Sequence, residues 1–150
     1  MRSHLSLAEL YLPAEEERSS VLREPEMIYN ETPMVTRIRK GFPVNEFTVL
    51  QKLLDLPEDE LGLLIGISPA TLQRRKKTGH FECPESEKLV RFYRLFGKAM
   101  ELFETKETTR DWLKTENPGT ANESPLRYAD TEYGAKEVEA LITRIEYGVY

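Results

Sequence analysis

Apolar positions recur at steps of three or four along most of this chain, the period of a helix with one buried face. The clearest case is residues 84–103, where Leu89, Phe92, Tyr93, Phe96, Met100 and Phe103 share a side behind the opening Pro84. A helix of that length spans roughly 30 Å, about the width of a small domain. Upstream, residues 35–40 form a short segment stopped by Gly41 and Pro43. Asn45 is the expected N-cap of a helix with Phe47, Leu50, Leu53 and Leu54 on one face. Pro57 suits the first turn of the next helix, which carries Leu61, Leu64 and Ile65 and stops at Gly66. Glu58, Asp59 and Glu60 sit at its positive dipole end. Ser68 caps a further helix, with Pro69 at its first position, that runs to about Lys77 before Gly79.

The C-terminal third repeats this grammar. Thr105 caps a short helix through Trp112 to Lys114, Asn117-Pro118-Gly119 is a turn, and Ser124-Pro125 starts another helix. The last helix runs from about Thr131 to Tyr147, with Val138, Leu141, Ile142 and Ile145 inward and Gly148 ending it. At the other end, residues 3–12 fit a short amphipathic helix with Leu5, Leu7, Leu10 and Leu12 as its apolar positions and Pro13 as its stop. Residues 15–20 read as solvated linker or helix, and Pro25 and Pro33 bracket irregular chain. No segment alternates with period two and no repeat is visible, so the expected class is all-α.

Composition narrows the function. At 150 residues, with 31% charged and 39% hydrophobic, the chain is long enough for a core without covalent staples. A single cysteine, Cys83, excludes an internal disulfide and a cysteine zinc cluster, and His4 and His80 lie far apart, so no metal and no cofactor is expected. No apolar run approaches the ~20 residues that cross a bilayer, and the N-terminus lacks the pattern of a signal peptide. The expected setting is a reducing cytoplasm without a membrane partner.

Net charge is −5, but it is unevenly spread. Residues 1–35 and 81–150 each carry −4, while residues 36–80 carry +3. A basic middle between acidic flanks points to an anionic partner for the middle alone. Residues 56–77 read helix, short turn, helix, with Ile67 placed to pack between the two. From Ser68 to Phe81 there are four basic groups and no acidic one. This is the layout of a helix-turn-helix, whose second helix enters the major groove. Thr71, Gln73 and Arg74 have the lengths and donors to reach base edges, and Arg75, Lys76 and Lys77 suit phosphates. The competing reading is a solvated helix end, where Lys and Arg complement the dipole without any ligand. Four or five cations give modest affinity, so specific binding calls for a homodimer. The contact is expected in the N-terminal region through residues 45–55, where Leu5, Leu10 and Phe47 lack an obvious core role.

From Thr32 to Tyr150 the chain resembles the Xre/MbcA/ParS antitoxin family, specifically the Xre antitoxins of type II RES–Xre toxin–antitoxin pairs. The matching stretches are residues 66–77 (GISPATLQRRKK), 85–89 (ESEKL), Trp112-Leu113-Lys114-Thr115 with Asn117-Pro118, and 137–150 (EVEALITRIEYGVY). The span from Thr32 to Tyr150 is about four-fifths of the chain, and it departs from the family pattern at the loop of residues 119–123. The resemblance implies a Cro-like helix-turn-helix core and a small helical toxin-binding domain behind it. It implies an antitoxin that inhibits a RES-domain, NAD-depleting toxin by covering its active site, and that binds operator DNA to regulate its own operon. The corresponding division is an N-terminal arm over residues 1–33, a DNA-binding domain over 34–104 and a toxin-binding domain over 105–150. Arg144, Glu146, Tyr147, Gly148, Val149 and Tyr150 become the expected toxin contacts. The residues themselves say that Ile145, Tyr147, Val149 and Tyr150 form an apolar, partly aromatic end of the kind that anchors interfaces, or one that folds back on the core.

Other chemistry is poorly served. No pair of carboxylates is better placed than another for acid–base work, and there is no glycine-rich phosphate loop. Cys83 suits a small buried or capping role, His80 the negative end of the basic helix, and Trp112 the core. The chain is therefore not expected to be an enzyme. A helix-turn-helix regulator without an enzyme partner is the alternative to the antitoxin.

Overall fold

A computed structural model describes residues 5–12 and 33–149. Expectations for His4, for residues 13–32 and for Tyr150 lie outside the described residues. Nine α-helices and one 3-10 turn account for the described chain, with no strand among the described residues. They are α1 (Leu7–Tyr11), α2 (Met34–Lys40), α3 (Val44–Leu54), α4 (Glu58–Leu64), α5 (Pro69–Thr78), α6 (Cys83–Phe103), α7 (Lys106–Lys114), α8 (Pro125–Tyr128) and α9 (Glu132–Glu146). The 3-10 turn covers Pro118–Thr120. The all-α class is the one the sequence pattern predicts, and the order, a helix-turn-helix unit before a smaller helical one, is the one the family resemblance implies.

The long amphipathic helix α6 is the strut. It packs against α1, α2, α3, α7 and α9. Leu89, Phe92, Tyr93, Phe96 and Met100 are buried in it, and Phe103 stacks at 5.2 Å on Trp112 of α7. Two cations of α7 reach across to the C-terminal end of α3. Arg110 donates to the Leu53 carbonyl at 2.9 Å, and Lys114 to the carbonyls of Leu54 and Asp55 at 3.3 and 2.8 Å. These satisfy carbonyls that a helix end leaves without partners, and they place positive charge at a negative dipole end.

Local start signals behave as their chemistry dictates. The hydroxyls of Ser68, Thr105, Ser124 and Thr131 each accept from the backbone three residues on. Asn45 does not cap α3: the helix begins two residues earlier than that cap implies, at Val44, with Pro43 in the N-cap position. The reason is non-local. The Phe42–Val44 backbone pairs with Gly79–Phe81, the Val44 amide donating to the Gly79 carbonyl at 3.0 Å and the Phe81 amide to Phe42 at 2.9 Å. That pairing supplies a partner for Val44 and fixes where α3 starts.

The N-terminal segment is part of the core. Leu7 is fully buried, and Leu10 packs against the core. Ser6 and Glu9 close a capping box, and the buried Glu46 carboxylate accepts from the Leu7 amide at 3.3 Å. Burial pushes the Glu46 carboxyl above its ordinary range, although the Leu7 amide pulls it back. Arg37 holds the Leu5 carbonyl at 2.7 Å while stacking on Phe42. Gly97 of α6 lies under the Tyr11 carbonyl, where any side chain would collide. Phe47 is buried against Phe81 with ring centroids 5.8 Å apart. The expectation that Leu5, Leu10 and Phe47 stand ready for a second copy is thus corrected: Phe47 and Leu10 serve the chain's own core, and Leu5 is half-buried. Sequence spacing could not reveal this, because the partners lie some forty residues away.

Candidate nucleic-acid and partner interfaces

The first site is built on α4 and α5. Leu61 and Ile65 bury the inner face of α4, and Leu72 buries that of α5. Between them Gly66 takes a positive φ of 76°, which glycine adopts without strain, and Ile67 turns inward to 7% exposure. The Ser68 hydroxyl caps the Thr71 amide at 3.1 Å and donates to Thr71 Oγ1 at 3.0 Å. Arg74 in turn reaches Thr71 Oγ1 at 3.4 Å. Thr71 is therefore half-buried in a bracket that steadies the helix start and the arginine.

The six residues expected to face nucleic acid divide by position. Ala70, Gln73, Arg74 and Lys77 follow helical steps along one exposed face. Arg75 turns the other way. Its Nε and Nη2 form a two-pronged hydrogen bond with Glu85 of α6 at 2.9 Å, and Nη2 lies 3.2 Å from Glu82. Both Arg75 and Glu85 side chains are largely buried. Burial raises the Glu85 carboxyl, but the Arg75 hydrogen bonds and the Glu82 amide outweigh it and hold it below the usual carboxylate range. Lys76 pairs with Glu58 of α4, both half-exposed. The sequence run of four cations therefore presents Arg74 and Lys77 outward while Arg75 and Lys76 brace α5 against its neighbours. His80 is exposed just beyond Gly79, its Nδ1 3.4 Å from the Thr78 carbonyl, and its backbone joins the pairing with Pro43. Cys83 opens α6 and is half-buried.

The second site is built on α9. Gly134, Ala135, Val138 and Ile142 bury its inner face, with Leu141 and Ile145 half-buried beside them. Its acidic flank faces the arginines of α6: Arg91 meets Glu132 at 3.1 Å, and Arg94 meets Glu132 at 2.8 Å and Glu139 at 2.7 Å. Burial raises the Glu132 carboxyl, and the two arginines then pull it below its ordinary range. The helix ends in a Schellman motif, the Val149 amide donating to the Arg144 carbonyl at 2.8 Å and Gly148 to Ile145 at 3.1 Å, with Gly148 at φ 68°. Arg144 and Glu146 are exposed, Tyr147 is 76% exposed and Val149 58%. The aromatic end does not fold back on the core within the described residues.

Neither site carries converging catalytic groups. Among the described residues no cluster of His, Cys, Asp and Glu has the makings of a metal site, and no helix is long and apolar enough to cross a membrane.

Comparison with known proteins follows the same division. A family model described as the antitoxin Xre-like helix-turn-helix domain matches residues 33–94. A second, described as the antitoxin Xre/MbcA/ParS C-terminal toxin-binding domain, matches residues 98–148. The two matches meet inside α6. Antitoxin Xre of Yersinia enterocolitica serotype O:8 / biotype 1B is 35% identical over 121 residues, which is 79% of this chain and 82% of that protein. Antitoxin Xre of Photorhabdus laumondii subsp. laumondii is 31% identical over 114 residues, 75% of this chain and 77% of that protein.

Proposed function

The chain belongs to the antitoxin Xre family, and from that premise we infer that it is the inhibitory subunit of a type II toxin–antitoxin pair. Its partner is a RES-domain toxin that consumes NAD, and inhibition is occlusion, with no chemistry performed by the antitoxin. The observation that supports this most is the outward end of α9 in the toxin-binding domain: Tyr147 and Val149 are exposed and apolar, behind a helix already anchored by its own core. An aromatic ring there can replace a stacked base in a nucleotide pocket. Arg144 and Glu146 form the polar rim of the contact.

On the other side, Gln73, Arg74 and Lys77 of α5 read operator DNA and so autoregulate the operon, with Thr71 positioning Arg74. Lys76 adds a phosphate contact when its half-exposed pair with Glu58 opens, and Arg75 serves as a brace. A homodimer supplies the second half-site. The working division is the arm of residues 1–33, a DNA-binding unit of 34–104 that includes α6, and a toxin-binding unit of 105–150. The pair operates in the cytoplasm.

Co-purification with the product of the neighbouring gene tests the reading. A stable complex that consumes no NAD, from a partner that consumes it alone, is the expected result. A partner whose activity is indifferent to this chain would leave a DNA-binding regulator instead.

A further inference from the structure

The outer face of α9 carries more than its end. Tyr133, at the first turn, is 76% exposed, the same as Tyr147. Tyr133, Glu137, Ala140, Arg144 and Tyr147 follow helical steps and share one stripe, opposite the side on which Ala135, Val138 and Ile142 are buried. The stripe therefore has an aromatic ring at each end, about 21 Å apart at the helical rise, and a small exposed residue, Ala140, between them. Glu132 and Glu139 are taken up by Arg91 and Arg94 of α6, whereas Glu137 and Arg144 stay exposed within the stripe and Lys136 beside it. A solvated helix face needs no aromatic at both ends, and an exposed aromatic bordered by charges of both signs, Lys136 and Glu137, fits a partner surface that offers an apolar pocket with a polar rim. The stripe runs directly into the Tyr147–Gly148–Val149 end, within the segment matched as toxin-binding.

We propose that Tyr133 is a second, separate anchor for the toxin. It grips the toxin outside the active site and sets affinity, while the end of the chain blocks turnover. The proposal rests on the reading that α9 faces the toxin, and it adds a division of labour along the helix. Aromatic residues suit the role because they bring large contact area with few rotatable bonds. Lys136 and Arg144 orient the approach, so their effect falls with added salt.

The experiment uses the full chain and the toxin encoded beside it, with affinity measured by titration and turnover by NAD consumption. Tyr133→Ala is expected to weaken binding at least tenfold yet leave inhibition complete at saturating antitoxin. Tyr133→Phe retains most of the affinity. Removal of residues 147–150 gives the converse, with binding kept within about tenfold and turnover released. Thermal unfolding of Tyr133→Ala should match the parent, since the ring is mostly in solvent; should that variant fail to fold, Tyr133→Lys takes its place. Unchanged affinity in the Tyr133 variant, alongside release by the truncation, overturns the second anchor and leaves the proposed function standing. If neither change alters binding or inhibition, α9 is not the toxin-facing helix, and both fall. If Tyr133→Ala alone releases turnover at saturation, the ring is part of the plug and the division of labour is wrong.

Discussion

Helices α5 and α9 lean on the same support through opposite charges. Helix α5 is mostly polar, buries a single large side chain, Leu72, and is pinned by an arginine to Glu85 at the first turn of α6. Helix α9 buries Val138 and Ile142 and is pinned by its carboxylates to Arg91 and Arg94 further along α6. What each leaves outside differs accordingly: Gln73, Arg74 and Lys77 on one, Tyr133, Tyr147 and Val149 on the other. A cationic, hydrogen-bonding face suits a polyanion, and an aromatic face suits a protein pocket. One strut thus carries two outer surfaces whose chemistries do not overlap, so the surfaces should fail separately while the strut fails both.

The largest expected effect joins the two regions. Phe96 of α6 is fully buried, and Phe96→Ala should cost about 3–5 kcal/mol in denaturant unfolding and impair DNA and toxin binding together. Loss of only one binding activity would mean that the halves do not share a core.

Next comes the brace. Arg75→Ala strands the Glu85 carboxylate and should cost about 2–3 kcal/mol of stability, visible as a shifted urea midpoint. Acid reports the same pair. The folded pKa of Glu85 lies below its unfolded value, so its contribution is complete above about pH 4.3 and is lost as pH falls through the folded value. Glu85→Gln should therefore flatten the stability profile below about pH 4.3, whereas an unaltered profile would assign the acid sensitivity to other carboxylates.

The smallest effect is confined to one surface. Arg74→Ala with Lys77→Ala should weaken operator binding by about 1–3 kcal/mol for a lost base contact and less for a phosphate, with toxin neutralisation unchanged. Gel-shift titration at fixed salt reads this directly. A double variant with parental affinity would remove the exposed face of α5 from the DNA interface.

Legibility in the sequence tracked distance along the chain. Ser68-Pro69, Thr105 and Ser124-Pro125 start helices by bonds to amides three residues away, so the local sequence carries the whole signal. The core face of α6 was equally plain, because five buried side chains at helical spacing admit no other reading. Where a partner lies far off, spacing was silent. Val44 receives its partner from Gly79, Leu7 docks on Glu46, and Arg75 is claimed by Glu85. A run of four basic residues looks uniform in sequence, yet helical geometry turns Arg75 toward α6 and Lys76 toward Glu58 and leaves Arg74 and Lys77 outside. The exposed end of α9 was legible as chemistry, while its orientation came only from the fold.

The most direct test of two independent surfaces on one strut is a single truncation read in two assays. A chain lacking residues 147–150 is assayed for NAD consumption with its toxin and for an operator gel shift, with circular dichroism as the check on folding. Released NAD consumption with parental helix content and an unchanged shift is the predicted result. A truncated chain that still silences the toxin fully, or that loses the operator along with the toxin, contradicts it.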